Sequence, residues 1–225
     1  MKRRAHTAMA IAVAVWAFVG SPVVGSPVVT SVASAQPQRQ PLPRWSSAAD
    51  VMVWIDPVDA PMWGPGFVSR ALAVWSRAAG PALRLKRTPN AATASIRVRF
   101  MTSGALYGET VPQVDRASGR ITHAAVYITG AQPAGRQPAG SPEDDSLEAQ
   151  IVVYLTTLHE IGHAIGLSHT DRFSDIMYRF QEPGDGARYF GRYRRLVRQS
   201  ADIGTGSASG LSSDDVQAVR DLYAR

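Results

Sequence analysis

His159-Glu160-Ile161-Gly162-His163, continued by Ala164 to Thr170, places three imidazoles and one carboxylate within twelve residues. On a helix His159 and His163 stand four residues apart, so both rings project from one face and can share a single ion. Gly166 lets the chain leave the helix through a left-handed conformation that a Cβ would resist, and His169 returns as a third nitrogen donor. Three nitrogens with the fourth position open are the ligand set of a catalytic zinc, since structural sites are usually closed by four protein ligands and often by cysteine. The chain has 5 His and no cysteine, and a chance arrangement of this constellation has a probability on the order of 10⁻⁵ or less. Glu160 beside the ligands is the candidate general base, which would take a proton from attacking water and deliver it to the leaving amine.

The extended H-E-x-x-H-x-x-G-x-x-H pattern resembles that of the metzincins, which carry a methionine turn beneath the metal. Ser174-Asp175-Ile176-Met177-Tyr178 looks like that turn, and Leu211 to Tyr223 is similar to the C-terminal helix of the matrixin branch. Ala71 to Ser76 and Ser95 to Phe100 are also matrixin-like. The resemblance implies an α+β, zincin-like fold, with a twisted mixed five-stranded sheet and three helices, and a secreted zinc endopeptidase acting on protein or peptide. It implies that Met177 underlies the metal, that Asp214-Asp215 anchor the methionine turn, and that the loop after that turn walls the pocket beyond the scissile bond. Leu155, one helical turn before His159, then shapes the pocket floor. His123 lies in Thr122-His123-Ala124, similar to the segment that supplies a second, structural zinc in many matrixins. No other unassigned histidine remains to complete such a site, so one zinc is expected and His123 reads as a strand histidine satisfied by its neighbours.

Ahead of this domain the chain reads as an address. Lys2, Arg3 and Arg4 precede an apolar run from Ala8 to Val19, and Ala33-Ser34-Ala35 fits a cleavage site. Residues 1–35 are therefore expected to be a signal peptide, 36–49 a Pro/Gln-rich linker and 50–225 the catalytic domain. Loss of the three signal cations would lower the formal charge from +6 to +3. An exported, cysteine-free chain relies on its core and any bound metal. The expected product is a monomer with no lasting membrane insertion. Nucleic acid is an unexpected partner for an exported chain, and the competing reading is a non-enzymatic basic adhesion or binding module of the cell envelope.

The elements that must position the site follow from periodicity. Asp50 to Asp56 reads as a strand covered on both faces. Pro65 to Ala79 reads as a helix with Val68, Leu72, Trp75 and Ala79 on one face. Leu83 to Lys86, Ile96 to Phe100 and Ile121 to Ile128 read as strands, the last lying along the cleft with an edge open to substrate. The site helix begins near Leu147. Glu143, Asp144 and Asp145 before it could bind calcium, or simply favour the positive helix end. Arg179 to Gly210 has no regular pattern, and Arg179, Arg188, Arg192, Arg194, Arg195 and Arg198 read mainly as a solvated face. Ser212 with Asp215 three positions on forms a helix start.

Overall fold

A computed structural model describes residues 42–46, 49–102, 107–129 and 146–224. The expected signal peptide and the acidic run Glu143 to Asp145 lie outside the described residues. Five strands, β1 (Ala49–Ile55), β2 (Leu83–Arg87), β3 (Ile96–Met101), β4 (Gly108–Asp115) and β5 (Arg120–Thr129), form one mixed sheet in the order β2-β1-β3-β5-β4. Only β4 runs antiparallel to its neighbour. Four helices accompany it: α1 (Gly64–Ala79), α2 (Leu147–Ala164), α3 (Asp185–Arg194) and α4 (Ser213–Tyr223). Among the described residues no helix is long and apolar enough to cross a membrane.

The inner sheet face carries Val51, Val53, Leu83, Ile96, Val98, Val126 and Ile128, all essentially buried. Alternation along each strand supplies this face, and α1 and α2 cover it with Val68, Leu72, Trp75, Leu155, Leu158 and Ile161. At about 1.5–3 kcal/mol for each fully buried large aliphatic side chain, these contacts anchor the lower face of α2. The indole of Trp75 donates to the Leu158 carbonyl at 2.8 Å, tying α1 to α2 one residue before His159.

Four expectations require correction. The β1 strand is covered on one face only: Asp50 is exposed and Met52 and Trp54 are half-buried, among Arg84, Lys86 and Arg97 of the outer sheet surface. The cleft edge is β4, since β5 is paired on both sides. No residue of β4 is buried, and Gly108 and Pro112 interrupt its pattern, so periodicity gives it no signal; proline is tolerated because the strand is outermost. The third correction is the helix count of four rather than three. Pro183-Gly184 opens α3, Gly184 taking φ 89° as its N-cap, and its buried residues are Tyr189 and Tyr193 with Asp185 in the first turn. The fourth concerns His123, expected to be satisfied by its neighbours: it is exposed on β5 opposite Gln113, and its side chain makes no hydrogen bond or ion pair among the described residues.

The folded unit also takes in Arg44 and Trp45 from the stretch expected to be linker. Trp45 is buried, its indole donating to the Ala164 carbonyl at 2.9 Å, while Arg44 Nη1 donates to the Leu222 carbonyl at 2.6 Å. This arm therefore clamps the C-terminal end of α2 against α4.

Candidate metal centre

Ser146 caps α2 by accepting from the Ala149 amide at 3.1 Å, and Glu148 sits in the positively polarised first turn. The helix ends in a Schellman turn, with Gly166 N–H donating to the His163 carbonyl and Leu167 N–H to the Gly162 carbonyl, both at 2.9 Å. Gly166 has φ 101°, as its expected role requires. A Cβ there would also lie 2.0 Å from the Pro43 carbonyl oxygen, so the N-terminal arm imposes the same choice independently.

This turn brings His169 back to the two helix histidines. The Nε2 atoms of His159 and His163 are 3.2 Å apart, those of His159 and His169 3.2 Å, and those of His163 and His169 3.1 Å. Outer contacts set the tautomers. A carbonyl can only accept, so His159 donates through Nδ1 to Ile176 O at 2.6 Å, and His163 through Nδ1 to Leu167 O at 2.9 Å. Both Nε2 atoms therefore present lone pairs to each other. Burial, then the nearby His163, holds the His159 pKa down to about 3, and burial lowers those of His163 and His169 also. Neutral rings with convergent lone pairs repel unless a cation sits between them. A tetrahedral zinc with bonds of about 2.0–2.1 Å spaces its nitrogens about 3.3–3.4 Å apart, so the donors present fit that ion. Among the described residues these three form the only such cluster of His, Asp and Glu.

Glu160 points from the next position of α2 and is buried. Thr110 Oγ1 of β4 lies 2.7 Å from its Oε2 and 2.9 Å from its own carbonyl oxygen. Burial pushes the carboxyl up to about 7, the Thr110 hydroxyl pulling it partly back. The strand comes this close because Gly108 has no side chain: a Cβ would lie 2.7 Å from Glu160 Cγ. Thr110 and Gly108 are not legible as site residues, since nothing in the sequence marks their strand.

Beneath the histidines, Met177 is buried in a turn held from α4. Asp215 accepts from the amides of Ile176 at 2.8 Å and Met177 at 3.4 Å, and closes a capping box with Ser212. The Ile176–Met177 peptide thus links Asp215 on one side to His159 Nδ1 on the other. Burial opposes the charge of the neighbouring Asp175, but donors from Ser212, Thr170, Arg172 and Ser174 outweigh it and hold its carboxyl below the usual range. Asp214 pairs with Arg172 at 3.1 Å.

A cavity of about 370 Å³ opens beside the three histidines and Glu160. Leu155, Thr156 and Ile176 line it from below, and Tyr107, Phe180, Tyr189 and Phe190 wall it. The rings of Tyr107 and Phe190 meet edge to face at 5.2 Å, so the start of β4 touches α3 across the cavity. Most of the arginines in this region are engaged: Arg188 with Asp185, Arg192 over Phe173 and Tyr189, and Arg194 with Glu148. Arg179 pairs with Asp171 at 3.7 Å and also lines the cavity.

Neutral imidazoles converging beside a buried carboxylate, on a helix under a mixed sheet, define a zincin-like metallopeptidase. Within that class the matrixin family model matches residues 65–189, more than half of the chain, and the chain belongs to the matrixin family, a metzincin family that uses catalytic zinc. The matched span runs from the start of α1 to the middle of α3. No curated protein is similar enough to match the chain.

Proposed function

We propose that the chain is an exported endopeptidase in which His159, His163 and His169 hold one zinc ion and Glu160 is the general base. The observation that carries this reading is the set of three Nε2 atoms at 3.1 to 3.2 Å, two of them fixed as lone-pair donors by backbone carbonyls. Zinc held there supplies a Lewis acid for the scissile carbonyl and makes water a competent nucleophile near neutral pH. Glu160, oriented by Thr110, takes the proton of that water during attack and passes it to the departing amine. The outer edge of β4, unpaired among the described residues, receives the peptide as an added strand, with Gly108 to Thr110 beside the reacting bond. Residues 1–35 direct export, on the strength of Lys2 to Arg4 and the apolar run behind them.

Casein digestion by the purified chain, with zinc analysis alongside, tests the reading. Dialysed protein should retain close to one zinc per chain, and a chelator should abolish digestion until zinc is returned. Digestion that persists in metal-free protein rejects the mechanism.

We further assign Leu155 to the floor of the pocket that receives the side chain following the scissile bond. Leu155 is 1% exposed and lines the cavity with Thr156 and Ile176, an apolar surface that gains about 1.5–3 kcal/mol from burying a leucine-sized side chain. Sequenced products of a peptide-library digest should show medium or large apolar residues at that position, and Leu155→Arg, by filling the floor, should shift the preference to small ones. An unchanged pattern removes Leu155 from the pocket.

A further inference from the structure

A second concavity, of about 690 Å³, lies between α1, α4 and the turn 204–210, and shares no lining residue with the metal centre. Arg70, Arg77 and Arg220 stand around it, and among the described residues no carboxylate lines it. The helix repeat explains the arrangement: Arg70 and Arg77 are two turns apart on α1, with Ala73 exposed between them above the buried Val74 and Ala78. Leu211 and Val216 extend this apolar strip from the opposite side.

Two of the guanidinium groups are fixed by neutral acceptors. Arg70 Nη1 donates to the carbonyls of Ser200 at 2.6 Å and Ile203 at 2.8 Å, and Arg220 Nε to the carbonyl of Ala78 at 3.1 Å. Carbonyls orient these groups without cancelling their charge, and each keeps further N–H donors. Arg77 is exposed and makes no ion pair or hydrogen bond among the described residues. Arg77 and Arg70 both bring positive charge to the Tyr154 hydroxyl beneath, whose pKa is nevertheless kept high by burial. Three like charges around an apolar concavity concentrate a positive potential there.

We propose that this groove docks a peptide segment of a protein partner in which acidic and small apolar side chains alternate. Carboxylates meet the three arginines while the apolar side chains cover Ala73, Leu211 and Val216. A bare polyanion satisfies only the first half of that surface and leaves the apolar strip exposed to water. The docking is independent of the catalytic reading, since no residue is shared.

The probe is a fluorescent peptide alternating Glu and Val, titrated against the full zinc-loaded chain carrying Glu160→Gln so that it is not cleaved. The Glu peptide should bind, its twin with Gln in place of Glu should bind about tenfold more weakly, and added salt should weaken the first far more than the second. Arg77→Glu should weaken the Glu peptide by about tenfold or more while leaving the melting temperature unchanged, because Arg77 holds nothing else; Arg77→Lys should restore most of the binding. Equal binding of the two peptides, or unaltered binding by Arg77→Glu, overturns the proposal. So does inorganic polyphosphate displacing the peptide at lower charge concentration, which would make the groove a site for bare polyanions. Hydrolysis of a short reporter peptide by the otherwise wild-type chain and its Arg77→Glu form, measured separately, should be the same. A chain that docks but does not cleave strikes the catalytic reading alone.

Discussion

Glu160→Gln should lower peptide hydrolysis by about 10²–10⁴-fold, the usual contribution of a positioned general base, while zinc remains bound at its wild-type stoichiometry. The substitution keeps the shape of a buried side chain, and the glutamine oxygen can still accept from Thr110 Oγ1, which stands 2.7 Å from Oε2. What disappears is the capacity to take a proton. The three histidines are untouched: His159 and His163 are oriented by Ile176 and Leu167 carbonyls, neither of which involves Glu160. Loss of activity with retention of metal therefore separates proton transfer from ligation, whereas His163→Ala should lose both. Casein or peptide assays beside metal analysis make the comparison. A Glu160→Gln protein that digests within a few-fold of wild type would show that another group carries the proton.

The part of the site that is legible in the sequence is the part that is local. His159, Glu160, His163, Gly166 and His169 fall within one helix end and its turn, so helical spacing and one glycine suffice to bring them together. Met177 and the Ser212–Asp215 capping box can be read because each is a short motif whose partners lie a few residues away or in a second recognisable motif. Thr110 cannot, because its contact with Glu160 spans fifty residues and depends on β4, a strand with no buried residue. The misplacement of the cleft edge has the same root: β5 carries Val126 and Ile128 in plain alternation and draws the assignment that belongs to its unpatterned neighbour. Similarly, α3 is hidden by Gly186 and Gly191 and by charges on most of its surface, yet it delivers Tyr189 and Phe190 to the cavity wall. Helix propensity and hydrophobic period register how one element meets the core, and neither registers an element recruited to close a pocket.

Gly162→Ala should destabilise the fold and weaken zinc binding together, although alanine in a helix interior is ordinarily favoured over glycine by about 1 kcal/mol. The sign is therefore the test. A Cβ at position 162 would lie 2.3 Å from Met177 Sδ and 3.2 Å from Trp75 Cζ2, distances at which something must move. Trp75 is fully buried and pinned through its indole to Leu158 O, so the strain falls on Met177, itself 2% exposed. Met177 cannot withdraw freely, because its amide and that of Ile176 are held by Asp215, and the carbonyl between them receives His159 Nδ1. Overpacking of this kind costs about 1–3 kcal/mol, enough to cancel or exceed the gain in helix propensity. Each net kcal/mol should lower the melting temperature by about 2–4 °C in a chain of this size. Any shift of the Ile176 carbonyl also turns the His159 ring away from the other two nitrogens, so zinc affinity should fall with stability. Gly191→Ala in α3 is the control: a Cβ there would meet nothing within 4 Å, and the propensity gain should appear unopposed. Combining Gly162→Ala with Met177→Ala should recover zinc affinity by removing the clash. A Gly162→Ala protein that melts higher than wild type and holds zinc as tightly would mean that the methionine yields without disturbing the peptide above it.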